Sequence, residues 1–465
     1  MDDDRAPGEG RRYTARMTRS LPLSAAVLLV SASLCAAEPE PSKEARWPGW
    51  RGSDGQGIVQ EKGLPLEWTA TKNVVWKTEI PGRGYSSPIV WGYRIFLTTA
   101  IEGEIAPAAK PMKHVIEGEP FVHPDGIAGD RKHTFEVIAL DAKTGKVLWE
   151  RTAWKGTPYD TRHRRGSFAS PTPVTDGTLV YAYFGGEGLF VYDFEGKLAW
   201  KFQPGAIGTL GVGVGTSPLL YKGVVILQCD EENGEKSFVV GLEKKTGKEV
   251  WRVPRKIEVS WATPVLVRAG DRDELVTAGS QFVIAYDPAT GKELWRMKGL
   301  ESNAVPSPVA GDGVVVVSSG YPEKIAVAIR PGGSGDITGT DRVLWTYKKG
   351  TAYVPSPILY DGLVYLMTDK GLITCLDAKT GEVKYEGARM PVPASFMASP
   401  VALSGSLLFM SQDGDTFVVK AGPKFEVLGT NALDEPISAS AAAAPGRLFI
   451  RGEKHLFAIG LPAGT

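Results

Sequence analysis

The sequence "ALDAKTGKVLWE" (residues 139–150) is the most informative about the fold, because versions of it recur along the chain. The others are "VYDFEGKLAWKF" (191–202), "GLEKKTGKEVWR" (241–252), "AYDPATGKELWR" (285–296) and "CLDAKTGEVKYE" (375–386). Each version reads as a strand, a tight turn and a second strand that carries a large aromatic residue. In the turn, the Asp is expected to accept hydrogen bonds from backbone amides, and the Gly to take a left-handed conformation.

A second phrase, a hydroxyl residue followed by proline and an apolar pair, recurs beside the first. Its hydroxyls are predicted to be Ser87, Ser170, Ser217, Thr263, Ser307, Ser356, Ser399 and Ser440. They stand 83, 47, 46, 44, 49, 43 and 41 residues apart. A period in the forties with strand-like text between is typical of a β-propeller. The proline suits the start of an innermost strand, whose free edge needs no N–H.

These repeats predict an all-β fold, an eight-bladed β-propeller of four-stranded antiparallel blades. The last unit ends in "HLFAIGLPAGT" before a fourth strand, and "NVVWKTEI" (73–80) would supply that strand and close the ring. The first blade is widened by an insertion near 101–134. Large side chains on the outermost strands are expected to cover the seams between blades. They are Trp149, Trp200, Trp251, Trp295 and Trp345, with Tyr385 and Leu428 as weaker equivalents.

The domain prediction divides the chain into three parts: an N-terminal extension with a signal peptide (1–37), an irregular segment (38–72) and the propeller (73–460). Residues 17–37 combine a positive start, a short apolar run and small residues, as in a secretory signal. Met1 and Met17 both remain candidate initiators, and plain cleavage is favoured over lipid anchoring at Cys35. No transmembrane segment is expected after signal removal.

The overall charge argues against a nucleic-acid partner. Lys plus Arg and Asp plus Glu each number 53 in the 465-residue chain, so the formal net charge is zero. A balanced chain creates no steering field for polyanions.

The repeat, the ring closure and the lead-in "WPGWRG" (47–52) resemble the pyrroloquinoline-quinone-like (PQQ-like) propeller repeat proteins of bacteria. The resemblance covers essentially all of residues 47–460 and is closest to secreted members. It implies two kinds of relative: quinoprotein dehydrogenases, which hold PQQ and calcium in the channel, and the outer-membrane barrel-assembly scaffold lipoprotein, which holds no cofactor. The sequence departs from the alcohol dehydrogenases because no two cysteines are adjacent.

The channel mouth is the expected ligand pocket, because the loops that precede the innermost strands converge there. The "RHRR" run (162–165) is interpreted as a solvated loop, with an anion-binding cluster as the alternative. Trp261 would stack on a planar ligand or sugar, or else plug the channel. No metal site is predicted, because the spacing of His114, His123 and His133 matches no compact ligand motif. No catalytic residue is predicted, because nothing resembles a Ser-His-Asp triad or a pair of catalytic carboxylates. The predicted mouth residues are Tyr85, His163, Arg164, Arg165, Phe168, Trp261, Asn303, Tyr353 and Phe396.

The favoured interpretation is a secreted, non-catalytic binding or scaffold protein of the bacterial periplasm or cell envelope. Its partner would be an envelope protein or a small-molecule or glycan ligand. A PQQ-dependent oxidoreductase, with PQQ and calcium, is the alternative. A carbohydrate-binding propeller is the third interpretation, suggested by the aromatic residues near the mouth.

Overall fold

The computed structural model describes residues 45–109, 112–116 and 118–461. The predicted signal segment and Cys35 lie outside these ranges. Within them, no helix has the length and apolarity needed to cross a membrane. The architecture is all-β, with one short 3-10 turn at Gly185–Glu187.

Eight four-stranded antiparallel blades form the ring, as predicted. Blade 1 comprises Ile89–Trp91, Arg94–Ile105, Arg131–Asp141 and Val147–Gly156; blade 2 Val174–Thr175, Leu179–Tyr183, Leu189–Asp193 and Leu198–Phe202; blade 3 Leu219–Tyr221, Val224–Cys229, Phe238–Glu243 and Glu249–Pro254; blade 4 Val265–Ala269, Arg272–Ala278, Phe282–Tyr286 and Glu293–Lys298. Blade 5 comprises Val309–Gly311, Val314–Ser319, Ile325–Ile329 and Val343–Tyr347; blade 6 Ile358–Tyr360, Leu363–Met367, Leu372–Asp377 and Val383–Arg389; blade 7 Val401–Leu403, Ser406–Met410, Asp415–Lys420 and Val427–Ala432; blade 8 Ala442–Ala444, Arg447–Arg451, His455–Ile459 and Val74–Glu79.

The predicted ring closure is confirmed. Strand Val74–Glu79 pairs antiparallel with His455–Ile459, so the last blade takes its outermost strand from the N-terminal side of the chain. The Trp76 side chain packs with the core shared by blades 8 and 1. Its Nε1 donates to the Ala142 carbonyl at 3.2 Å, in the turn of blade 1. Closure therefore pairs the outer edge of strand His455–Ile459 and links the last blade to the first.

The turns form as their residue types predict. In blade 1, Asp141 Oδ1 accepts hydrogen bonds from the amides of Lys143 and Thr144, at 3.1 and 2.8 Å. In blade 6, Asp361 and Gly362 have φ values of 51° and 72°, as a two-residue hairpin turn requires.

The predicted tryptophans cover seams between blades. Trp149 of blade 1 lies over Gly196 in the turn of blade 2, where an added Cβ would come within 2.8 Å of the indole. Three of these indole nitrogens donate to a carbonyl of the next blade: Trp149 to Phe194, Trp200 to Lys244 and Trp345 to Ala378, at 2.8, 2.9 and 2.9 Å. The turn glycine thus serves packing as well as backbone geometry. Leu428, a predicted weaker equivalent, is half exposed.

A ring of hydroxyl groups ties the innermost strands together. Seven hydrogen bonds of 2.8 to 3.0 Å run from the backbone N–H of one blade to the hydroxyl of the next. One predicted member is wrong: Thr172, rather than Ser170, takes this place in blade 2. The phrase "SPTP" (170–173) offers two hydroxyl–proline pairs, and only the second directly precedes the inner strand. Ser170 instead donates to the Ser167 carbonyl.

Removing the Thr172 hydroxyl is expected to reduce the stability of the fold. Thr172→Val keeps the side-chain shape but leaves the buried N–H of Ser87 without its acceptor. We expect it to lower the free energy of unfolding by about 1–3 kcal/mol. Ser170→Ala is the matched control and is expected to cost less, because the hydroxyl it removes bonds within its own loop. Urea unfolding followed by circular dichroism measures both, and an equal loss in the two variants would contradict the assignment.

The segment 45–68 lies across one end of the channel. Its strand Arg46–Trp47 pairs with the inner strand of blade 1, and Ile58–Val59 pairs in parallel with that of blade 7. Gln56 Oε1 accepts a hydrogen bond from the amide of Ala310 in blade 5, at 2.6 Å. These contacts involve the carboxyl ends of the inner strands. The candidate site lies at the opposite end, where loops lead into the inner strands.

Candidate functional site

A cavity of about 240 Å³ lies where loops of blades 7, 8 and 1 meet. It opens beside the start of the inner strands, at the predicted channel mouth. We call it the arginine cavity. Its lining residues are Arg83, Gly84, Tyr85, Gln412, Pro436, Ser438, Ala439, Arg451, Gly452 and Glu453.

Arg451 is the most buried charged group of this cavity, with 3% of its surface exposed. It lies at the end of the second strand of blade 8, and its guanidinium reaches across the seam into blade 1. Its Nη1 donates to the Ser86 carbonyl, the Ser86 hydroxyl and the Thr98 carbonyl, at 3.0, 2.8 and 2.8 Å. Burial lowers the pKa of Arg451 to about 9, because these neutral acceptors do not replace a counter-charge.

Arg83 forms the facing wall. Its backbone N–H and carbonyl pair with Ala100 of blade 1, which fixes the start of the loop. Its Nη2 donates to the Tyr85 hydroxyl at 2.6 Å, and its Nε is buried without a hydrogen-bond partner. The hydroxyl proton of Tyr85 therefore remains available to an acceptor inside the cavity.

Polar groups from two other blades complete the walls. The Gln412 side-chain amide of blade 7 donates to the Ser438 hydroxyl of blade 8 at 3.2 Å. Arg165 donates to Oε1 of the same Gln412 and so lies beside the cavity. The arrangement presents guanidinium and hydroxyl donors, which suit an oxyanion.

The "RHRR" run does not form one anion site, because acidic partners hold three of its members. Arg162 is buried and pairs with Glu102 at 3.5 Å. His163 and Arg164 both pair with Asp125, at 3.3 and 3.0 Å. Burial, more than any neighbouring charge, lowers the pKa of His163. Arg165 alone of the four is directed to the arginine cavity, through Gln412.

The remaining predicted mouth residues lie apart from the arginine cavity. Trp261 is half-buried, donates its Nε1 to the Gly213 carbonyl at 2.6 Å and lines a void of about 10 Å³. Asn303 is half-buried with a φ of 59°. Tyr353 is partly exposed, and its ring lies 5.7 Å from that of Tyr321. Phe168 packs against the core of blades 1 and 2, and Phe396 is a core residue with 1% exposure.

The three histidines of the blade 1 insertion have separate partners. His114 lies between Glu232 and Asp160, at 2.5 and 3.0 Å. His123 accepts from the Asp125 amide, and His133 contacts the Arg131 carbonyl.

PQQ with calcium does not fit the arginine cavity. A volume of about 240 Å³ is below the roughly 300–1,000 Å³ of pockets for drug-sized ligands, and PQQ is a tricyclic tricarboxylate. Calcium requires several carboxylate and carbonyl oxygens. The buried charges here are guanidiniums, and the Glu453 carboxylate is exposed. In the described ranges, no three His, Cys, Asp or Glu side chains are grouped to hold a metal ion.

Of the residues predicted from the sequence, Tyr85 lines the arginine cavity and Arg165 lies beside it, whereas Arg83, Gln412, Ser438 and Arg451 were not predicted. One available signal was Arg451 itself. It ends the apolar strand "RLFIR" (447–451), in which every position is buried. A charged residue in such a strand needs a polar surrounding, so it marks a cavity or an ion pair.

Comparisons with known proteins agree with this fold. The sequence model of the family described as "Outer membrane protein assembly factor BamB" matches residues 117–256, 235–332 and 279–434. Among curated proteins, the chain is 26% identical over 229 residues to quinohemoprotein alcohol dehydrogenase ADH-IIG of Pseudomonas putida. That alignment covers 48% of this chain and 26% of the dehydrogenase, so the chain matches about a quarter of that relative.

Three solved structures share the propeller. BamB of Moraxella catarrhalis has a TM-score of 0.50 and 14% identity, over 78% of this chain and 99% of BamB. A quinohemoprotein alcohol dehydrogenase of Comamonas testosteroni has a TM-score of 0.59 and 11% identity, over 91% and 82% of the two chains. A europium-containing methanol dehydrogenase has a TM-score of 0.58 and 12% identity, over 88% and 90%.

At such identities these structures show the fold alone, whereas the family matches together span 117–434, more than half of the chain. The chain belongs to the family of PQQ-like repeat β-propellers described by the outer membrane protein assembly factor BamB.

Proposed function

We propose that this chain is a non-catalytic binding or scaffold protein of the bacterial periplasm or cell envelope, which receives its ligand at the channel mouth. One observation carries the proposal: a cavity with buried donor groups lies at the end of the ring that segment 45–68 leaves free. Donors held by the walls of three blades are preorganised, so they bind without reordering. Ring closure adds rigidity to the same walls.

The envelope location rests on two supports. The family's description names an outer membrane protein assembly factor. Residues 17–37 have the composition of a secretory signal. Expression of the full-length chain in a Gram-negative bacterium, followed by fractionation, is expected to place the protein in the envelope fraction. Retention in the cytoplasm would count against the location.

The competing function is a PQQ-dependent oxidoreductase, which the match to an alcohol dehydrogenase keeps as an alternative. The purified full-length protein is titrated with PQQ, with and without calcium, and followed by calorimetry and tryptophan fluorescence. We expect no saturable binding at high micromolar PQQ. Saturable one-to-one binding together with dye-linked oxidation of an alcohol or sugar would overturn the non-catalytic proposal.

A carbohydrate-binding propeller is favoured by one observation, the pair of partly exposed tyrosines Tyr321 and Tyr353. Aromatic faces of this kind stack on apolar faces of sugars. Glycan binding that Tyr353→Ala abolishes would assign the rim beside blade 5 to this function.

A further inference from the structure

The geometry points to a ligand class for the arginine cavity: a small organic dicarboxylate, held by the guanidiniums of Arg83 and Arg451. This inference rests on the proposed function as a binding protein and deepens it by naming what the mouth binds.

The buried charge of Arg451 lacks a counter-charge. Removing a guanidinium from water has an effective penalty of several kcal/mol unless an anion and further hydrogen bonds offset it. The hydrogen bonds of Arg451 reach Ser86 and Thr98, and no carboxylate is among the partners that the described residues supply. A bound carboxylate would provide the missing negative charge. The ring closure holds this arginine in place whether or not a ligand is bound.

Two residues that line the cavity, Arg83 and Tyr85, carry donor groups that the surrounding protein leaves unused. Arg83 Nε is buried without a partner, although a buried N–H normally has one. The Tyr85 hydroxyl accepts from Arg83 and retains its own proton for donation. An oxyanion in the cavity would accept from the Tyr85 hydroxyl. Charge-assisted hydrogen bonds of this type are about twice as strong as neutral ones.

The charge and volume of the arginine cavity limit the ligand that it can hold. Arg83, Arg451 and the adjacent Arg165 give three positive charges, and Glu453 at the rim gives one negative charge, which leaves an excess of two. Cavities of roughly 150 Å³ hold benzene, so a cavity of about 240 Å³ admits a somewhat larger molecule. A dianion of roughly eight non-hydrogen atoms satisfies both limits on this comparison. A four-carbon dicarboxylate has this charge and size.

The test uses the purified full-length protein and succinate as the probe, by isothermal titration calorimetry at low ionic strength. We expect saturable one-to-one binding with a Kd below about 1 mM. Butyrate, which lacks one carboxylate, is expected to bind at least tenfold more weakly. Inorganic phosphate, the other common oxyanion, is expected to bind more weakly than succinate. Phosphate binding without succinate binding would overturn the dicarboxylate assignment.

The variants separate a built site from general charge attraction. Arg83→Gln and Arg451→Met are expected to weaken succinate binding at least tenfold. Arg164→Gln removes the same charge from an exposed position that pairs with Asp125, so it is expected to leave the Kd unchanged. Circular dichroism of each variant checks the fold. If Arg451→Met fails to fold, Arg83→Gln, whose backbone contacts remain, decides alone.

The outcomes for the two proposals are distinguishable. Equal weakening in Arg83→Gln and Arg164→Gln, or no succinate binding by the wild type, overturns the dicarboxylate site. The binding-protein proposal survives that result provided that PQQ does not bind. Conversely, PQQ-dependent turnover overturns the proposed function even where succinate binds.

Discussion

Replacing Trp295 with alanine is expected to destabilise the propeller by about 3–5 kcal/mol, the range for large aromatic side chains in closed cores. Trp295 lies on the outermost strand of blade 4 and is completely buried. Its Nε1 donates to Glu274 Oε2 at 2.8 Å, and the Glu274 carboxylate also accepts from Arg272 and from the amide of Gly332. The alanine variant therefore leaves a cavity and removes a donor from a buried carboxylate.

The burial of Trp295 has a local cause. In blade 5 a long loop (330–342) replaces the short Asp-to-Gly turn of the other blades. Its strand Gly335–Asp336 pairs in parallel with the outermost strand of blade 4, and Ile337 packs onto the Trp295 core. The loop thus covers a side chain whose counterparts Trp200 and Trp345 are only half-buried.

A matched variant tests this explanation. Trp345 has the same role in blade 5, with its Nε1 bonded to Ala378 at 2.9 Å, but it is only half-buried. Trp345→Ala is expected to lower the free energy of unfolding clearly less than Trp295→Ala does, because Trp345 buries less apolar area on folding. Trp295→Phe keeps most of the side-chain volume and removes the Nε1 donor. It is expected to lower the free energy of unfolding by about 1–3 kcal/mol, the contribution of the lost hydrogen bond. Urea unfolding followed by circular dichroism gives the three values, and equal losses for the two alanine variants would contradict the role of the loop.

Removing the His114 side chain is expected to lower the free energy of unfolding by a similar amount, about 3–5 kcal/mol. The substitution leaves two buried carboxylates without their shared cation. Its ring joins Glu232 in blade 3 to Asp160 in the loop that follows blade 1, and all three side chains are buried. Burial alone lowers the pKa of His114. Hydrogen bonds and charge from Asp160 and Glu232 more than offset this, and the pKa rises to about 9. The hairpin of the blade 1 insertion is thereby fastened to its neighbours.

The pH dependence follows from the direction of this shift. The unfolded imidazole titrates near its ordinary pKa of 6.5 and the folded one near 9, so the folded state binds the proton more tightly between those values. The stabilisation is therefore complete below pH 6.5 and is lost as the pH rises through 9. It amounts to roughly 3 kcal/mol at about 1.4 kcal/mol per pKa unit. Glu187 lies near Asp160, and burial raises its pKa to about 7. Its titration therefore affects stability mainly in the lower part of this pH window.

The measurement is the free energy of unfolding between about pH 8 and 9.5, where Glu187, with a pKa of about 7, is almost fully ionised. The wild type is expected to lose stability across this range, whereas His114→Gln is expected to show a flat profile. His163→Gln is the control, because the pKa of His163 is lowered and that residue is neutral throughout the range. A wild-type slope that persists in His114→Gln would assign the pH dependence to another group.

Local sequence was sufficient wherever a feature depends on residues close together in the chain. The Asp-to-Gly turns, the strand alternation and the tryptophan positions are set within one repeat, so the period predicted eight blades and the seams between them. The closing strand was also predictable, because the last unit lacks a strand that residues 73–80 match. The error at Ser170 arose where one short phrase contained two hydroxyl–proline pairs and spacing alone could not choose between them.

The site depended on distances that the sequence does not contain. The "RHRR" run left an anion-binding cluster as an alternative, but Asp125 and Glu102 lie outside that stretch and neutralise most of it. Positive charge instead gathers at Arg83 and Arg451, which are far apart in the chain and meet only when blade 8 closes on blade 1.

Short-range hydrogen bonding and side-chain alternation specify the repeat, the blade number and the ring closure, so these features could be read from the chain alone. Which charges are paired and which remain buried at the channel mouth became visible only in the folded ring. Pairing depends on through-space separation and desolvation, and both are set when loops from distant blades converge.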